Sequence, residues 1–462
     1  MKVQEPAAES FLHRLWEEQL AGRKLFTVDG RTVEILSPGT RNFDAGPDYR
    51  DAIVRLDGQL MHGDIEIHPS VGDWVRHGHD RDPAYNRVIL HIVTAGCPEG
   101  AQTVRADGVR VPIVDLDRHL PRPAEELEGE PSRLTGKGKP PMVCALAQAD
   151  PEQKLLVIEQ ASVQRLEYKA ERFREERQYA DWEEVAYRGL LEALGYAKNQ
   201  IPARALAERL PVHDLRHFSQ RLPDPEAVVH VQAWLLGASG LLEAAPGASE
   251  PAVAEFVRLQ RSLWEGYPNR RKVDSLAAAD WRFFRLRPAN FPTRRLAAMA
   301  VLIVRHRLEG FVGSWARLLE ATSHMPARLP RELEKTLVVP AFGFWEQRDC
   351  FLTGKRLREG SAPLLLGRDR ARDIVVNVVL PLLCAYAEES GDGALRAVAE
   401  RTYRTYPRLP ENEILRAMRA RLWEELCEAR QAVRTAAQQQ GLIHLYKFGC
   451  RLGDCSFCQA LI

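Results

Sequence analysis

Apolar residues recur at helical spacing at Phe11, Leu12, Leu15, Trp16 and Leu20, which predicts an amphipathic helix over 9–22 that packs on the β-patterned segments after it. The pattern of those segments has a period of two. Segments 32–36, 51–56, 60–68 and 88–93 read as strands, and Asp57-Gly58 between the second and third predicts a hairpin. The stretch 121–141, rich in Pro, Gly and charge, reads as a linker. From about residue 150 the period becomes helical, with amphipathic runs near 153–178, 182–195, 226–243, 251–264, 293–320, 370–388 and 410–438. No fixed repeat length connects these runs, which argues against a solenoid. The expected architecture is therefore α+β: a β-rich module over 1–120, a linker over 121–141 and a helical region over 142–462.

The strand expected over 60–68 carries the chemistry. Alternate side chains of a strand share a face, so His62, Asp64, Glu66 and His68 point one way while Ile65 and Ile67 point into a core. Asp48, just ahead of the neighbouring hairpin strand, is placed to sit beside Glu66. Two such carboxylates suit a hard divalent cation, Mg²⁺ or Mn²⁺, able to polarise a phosphate and activate water. Five of the chain's 13 histidines, His62, His68, His77, His79 and His91, fall within thirty residues of one another. The competing account is a solvated strand face with Asp48 as a turn residue. His91, alternating with Leu90 and Ile92, reads as packed or hydrogen-bonded rather than as a ligand.

A second candidate closes the chain. Cys450, Cys455 and Cys458 have CxxxxCxxC spacing, able to gather three thiolates around a zinc ion or an iron–sulfur cluster. The fourth ligand is left open among Cys144, His444 and Cys427. Cys97, Cys350 and Cys384 read as buried small apolar residues. A third motif, residues 284–295, starts a helix at Pro292 and offers Arg287 and Arg295 to a phosphate at that helix end; arginines paired between packed helices explain it equally well.

Composition narrows the classes. The chain has 462 residues, 45% hydrophobic and 27% charged, with no low-complexity tract, so two or three globular domains are expected. Lysine and arginine number 64 against 63 acids, and a net charge of +1 supplies no global field for a polyanion, so any nucleic-acid surface must be local. No signal-peptide pattern and no long uncharged apolar run is present, and the clustered cysteines suit a reducing compartment, so the cytoplasm is the expected location without membrane association. Nothing in the pattern bears on oligomeric state.

On these residues the N-terminal segment resembles the PD-(D/E)XK nuclease superfamily, with Pro47-Asp48 matching the first motif and Glu66-Ile67-His68 the second. The resemblance implies a restriction-endonuclease-like mixed sheet with flanking helices, catalytic roles for Asp48, Glu66 and His68, and a nucleic-acid substrate, DNA more than RNA. His68 stands where the superfamily has lysine, so it either replaces that lysine, ligates a softer metal or marks lost catalysis. Two alternatives remain: a non-catalytic nucleic-acid- or protein-binding adaptor on a decayed nuclease core, and a zinc hydrolase of another class. His77-Gly78-His79-Asp80 is similar to the histidine pair of metallo-β-lactamase-type hydrolases, without that fold's following Asp-His. Cys144 with the three terminal cysteines resembles the staple of iron–sulfur nucleases, although there the lone cysteine precedes the nuclease core. The set Gly46-Pro47-Asp48, 63–68, 73–93, 287–296 and the terminal cysteines resembles a bacterial family catalogued as a domain of unknown function.

Overall fold

The computed structural model describes residues 9–461 apart from 18–20, 23, 43–45, 95–96, 99, 121, 123–126, 128–143, 246–249, 285, 354, 358–363, 424–431 and 451–454. Most of the expected linker and Cys427 lie outside the described residues. The chain divides into two compact units, one of Met1–Gln148 with Tyr446–Ile462 and the other of Ala149–Leu445. The C-terminal tail that the sequence pattern continues from the helical region is thus grouped with the β-rich module.

In the first unit, helix α1 (Glu9–Glu17) precedes strands β1 (Lys24–Phe26), β2 (Thr32–Ser37), β3 (Thr40–Arg41), β4 (Tyr49–Leu56) and β5 (Gln59–His68). Helix α2 (Asp73–Arg76), β6 (Val88–Val93), the β7–β8 hairpin (Thr103–Val104, Arg110–Val111) and β9 (Ile113–Asp115) come next. The main sheet runs β1-β2-β4-β5-β6-β9 with β3 attached to β4. It is mixed, because β6 pairs parallel with both β5 and β9 while the remaining pairs are antiparallel. The β4–β5 turn has φ of 47° at Asp57 and 87° at Gly58, the doubly left-handed conformation that matches hairpin twist and that Asp-Gly tolerates. The apolar stripe of α1, Phe11, Leu12, Leu15 and Trp16, joins Val33, Ile35, Ile65, Ile67 and Ile92 in one buried core, as the strand alternation predicts. A smaller cluster contains Trp74, Tyr85, Val88 and Val111.

Gly63 fixes the approach of β5 to β6. A Cβ there would meet the Arg87 carbonyl oxygen at 2.5 Å and Ile89 Cγ2 at 2.4 Å, so the parallel ladder that carries Glu66 opposite His91 admits only glycine at this point.

The second unit is helical, beginning with the 27-residue helix Pro151–Arg177, whose Asp150 cap and Gln153 form a reciprocal capping box. The run expected over 293–320 is two helices, Pro292–Arg305 and Phe311–Thr322, because Gly310 turns the chain at φ 82°. The Glu183 carboxylate accepts from the Phe311 and Val312 N–H groups at 2.6 and 3.0 Å, satisfying the start of the second helix. Helices Tyr196–Arg209, Val212–Ser219, Leu329–Leu337 and Gly393–Thr405 were not separated by the hydrophobic pattern. No described helix is long and apolar enough to cross a membrane.

Candidate metal centre

Strand β5 is buried on both faces. Ile65 and Ile67 enter the α1 core as expected, while Asp64, Glu66 and His68 on the opposite face are 4%, 5% and 4% exposed, so this face is not a solvated one. Within that face the acids separate. Asp64 lies 3.7 Å from the Arg87 guanidinium, whereas Glu66 and His68 turn toward histidines supplied by the segment after α2. His62 stands opposite Ile53 in the β4–β5 ladder, and its side chain lies outside the described residues.

Four groups converge. His68 Nε2 is 3.2 Å from His77 Nδ1 and 3.5 Å from Glu66 Oε1, and His79 Nε2 is 3.3 Å from the same Glu66 oxygen. Among the described residues, His68, His77 and His79 form the one group of three whose possible ligand atoms all lie within 4.8 Å of one another. Ligands on a tetrahedral ion at bond lengths of about 2.0–2.1 Å stand about 3.3–3.4 Å apart. The His68–His77, His68–Glu66 and His79–Glu66 separations fall around that edge length, while Glu66 stands beside the mutually close histidine trio rather than within it. His77 is exposed, so the cluster opens to solvent on its side.

The other ring nitrogens are wired outward. His68 Nδ1 is 2.9 Å from His91 Nε2, and His91 Nδ1 is 2.8 Å from Thr103 Oγ1. As a hydrogen bond, the His68–His91 contact needs one protonated and one bare nitrogen. If His68 Nε2 keeps its lone pair for the cluster, its Nδ1–H donates to His91, and His91 Nδ1–H then donates to the threonine hydroxyl. This is the outer hydrogen bonding that orients a metal-ligating imidazole. His91 is fully buried and hydrogen-bonded at both ring nitrogens, as its sequence reading has it. Tyr85 stacks on His79 with ring centroids 3.7 Å apart, and Trp74 meets His79 edge-on at 5.5 Å while its indole N–H donates to the Val104 carbonyl at 2.8 Å. Sequence spacing gave no signal for Trp74, Tyr85 or Thr103.

Burial favours the neutral form of His68, His79 and His91. Desolvation, reinforced by His79 and His77, pushes the His68 pKa down to about 3. Desolvation also lowers His79, against the pull of Asp48 and neighbouring acids, and holds His91 well below the ordinary histidine value. Neutral imidazoles offer lone pairs, the form a metal requires.

Asp48 does come beside Glu66. Its backbone N–H donates to Glu66 Oε2 at 2.9 Å and its own Oδ2 accepts from the Ile67 N–H at 3.0 Å, a reciprocal lock at the point where Tyr49 pairs with Ile65. Asp48 Oδ1 faces His13 Nε2 at 3.8 Å. One oxygen of each carboxylate is thus bound to backbone, leaving Glu66 Oε1 directed at His68 and His79. The exposed cations nearby are matched by acids: Arg76 pairs with Asp73 at 2.6 Å and Arg81 with Asp80 at 3.4 Å.

The remaining candidates lie elsewhere. Cys144 and the terminal cysteines belong to the first unit and His444 to the second. Cys144, Cys450, Cys455 and Cys458 are each partly buried, and among the described residues they do not form a group as tight as the histidines. Cys350 and Cys384 are buried as read from sequence, whereas Cys97 is only partly so. Arg295 turns inward, donating to the Leu365 carbonyl at 2.6 Å and to Tyr196 Oη and Asn290 Oδ1 at 2.7 Å, so these donors brace the helix start; Arg287 is exposed.

The family whose model matches residues 9–413 is described as a protein of unknown function (DUF2851), and the chain belongs to that family. No curated protein and no solved structure matches the chain.

Proposed function

We propose that the first unit is a metal-dependent hydrolase centre, its ion held by His68, His77 and His79 and completed by Glu66, acting on phosphodiester bonds of nucleic acid. The observation that carries this reading is the convergence of three imidazoles within 4.8 Å of one another, with Glu66 Oε1 beside His68 and His79, next to the Asp48–Glu66 pair that the nuclease-type motif requires. Imidazole-rich ligation suits Zn²⁺ or Mn²⁺ better than Mg²⁺, which prefers all-oxygen octahedral sites. Bound there, such an ion would polarise a phosphoryl oxygen and activate water.

The chain's own residues have separable roles. His77, on the open side, is the ligand nearest incoming substrate. Glu66 holds its second oxygen on the Asp48 N–H and so presents the first at a fixed angle. His91 and Thr103 set the tautomer of His68. Tyr85 and Trp74 shield the cluster and fix the His79 ring. With cations near the site already paired, recognition of a polyanion would rest on a few contacts rather than on a broad basic surface, in keeping with the near-zero net charge.

The test is cleavage of single- and double-stranded DNA and of RNA by metal-free protein reconstituted with Zn²⁺, Mn²⁺ or Mg²⁺, with Glu66→Gln and His77→Ala alongside. The expected outcome is cleavage with Zn²⁺ or Mn²⁺ that both variants lose. Stoichiometric metal with no cleavage of any of these polymers would refute the hydrolase reading and leave a structural site on a binding module.

A further inference from the structure

None of the described residues of the tail Tyr446–Ile462 is fully buried. The one-turn helices Ala145–Gln148 and Ser456–Gln459 belong to the first unit and pack against each other, although about three hundred residues separate them in sequence. Ser456–Gln459 buries no side chain, and Ala145–Gln148 buries only Leu146. A single turn of helix is unstable alone, because fixing its backbone costs more than its few hydrogen bonds return. What the two turns share is sulfur. Cys144 immediately precedes the first, Cys455 caps the second and Cys458 lies within it, three residues on and so on the same side of the turn. Cys450 lies five residues before Cys455 in the sequence.

We propose that Cys144, Cys450, Cys455 and Cys458 form a four-thiolate metal centre, a zinc ion or an iron–sulfur cluster, that fastens the C-terminal tail to the first unit. All four cysteines are half-buried, and none is sealed in a core as Cys350 and Cys384 are. Four thiolates are the donor set of structural zinc and of iron–sulfur clusters, and hard cations do not compete for them. The thiols are looser than the histidine trio, so the centre closes on binding its metal, and ligand ordering and metal binding are one step. The centre shares no residue with the histidine cluster, and each stands or falls separately.

The full chain, purified without oxygen, tests this by thiol alkylation mapped by mass spectrometry before and after the metal is stripped. Cys144, Cys450, Cys455 and Cys458 should be protected together and become reactive together, while Cys97 reacts at the same rate throughout. Modification of any of the four at an unchanged rate overturns the proposal. A second measurement removes the histidine site: the His77→Ala, His79→Ala double variant should retain its zinc, or its iron with a visible absorption band. Adding Cys144→Ser and Cys458→Ser should then remove it. A double variant with no bound metal overturns the thiolate centre whatever the histidine site does, and the absorption band distinguishes cluster from zinc.

Discussion

Replacing His77 by alanine separates metal ligation from folding. His77 is exposed, its ring bonds His68 Nε2 at 3.2 Å, and its backbone N–H bond to the Asp73 carbonyl survives the substitution, so the metal-free protein loses little: a surface change of this kind costs within about 0.5 kcal/mol. In wild type, metal at about 100 times its dissociation constant stabilises the native state by about 2.7 kcal/mol. For a unit the size of Met1–Gln148 with Tyr446–Ile462, about 2–4 °C per kcal/mol turns that into an upward shift of about 5–11 °C. His77→Ala removes one of three imidazoles. Calorimetry with and without Zn²⁺, run in a Cys144→Ser, Cys458→Ser background that removes the thiolate site, should therefore find the His77→Ala metal-free transition within about 2 °C of that background, and its metal-induced shift nearly abolished. A variant that keeps the full shift would refute His77 as a ligand. No shift in the background itself would refute the site.

The same geometry has other consequences. Thr103→Val should lower metal affinity by about tenfold to a hundredfold without touching a ligand, because His91 loses its acceptor and His68 its orientation; unchanged affinity in a metal titration would remove the outer hydrogen bonds from any role in ligation. The metal-free first unit should lose stability as pH falls. With His68 near pKa 3 when folded and about 6.5 when unfolded, the unfolded chain binds more protons between those values, so the contribution is complete above about pH 6.5 and declines below it. His79 and His91 act in the same direction, and equal denaturant midpoints at pH 7.5 and pH 5 would contradict this. Gly63→Ala should destabilise the first unit by about 1–3 kcal/mol or more, since its Cβ would strike the Arg87 carbonyl; a midpoint within error of wild type would show that β5 and β6 approach less closely.

Much of the site's raw material was legible in the sequence, and its closure was not. Strand alternation separated Ile65 and Ile67 from Asp64, Glu66 and His68, and the Asp-Gly turn placed Asp48 next to Glu66 by hairpin register. Alternation cannot tell an exposed polar face from one covered by residues distant in sequence, and here Trp74 and Tyr85 supply that cover. The split between Asp64, facing Arg87, and Glu66, facing histidines, depends on the register shift in the β5–β6 ladder, which no single-strand pattern encodes. Thr103 is invisible for the same reason: it lies in a two-residue strand without periodicity, yet it terminates the chain of imidazole contacts. In the helical unit, amphipathic runs located the long helices, but the break at Gly310 depends on a backbone angle rather than on hydrophobic spacing.

The most direct test is anomalous diffraction from crystals of the protein reconstituted with Zn²⁺, recorded on either side of the zinc edge. A metal centre of this composition predicts a peak about 2.0–2.2 Å from His68 Nε2, His77 Nδ1, His79 Nε2 and Glu66 Oε1, with His91 outside the coordination sphere. No peak within reach of these four atoms, in crystals that show His68, His77 and His79 ordered, would contradict it.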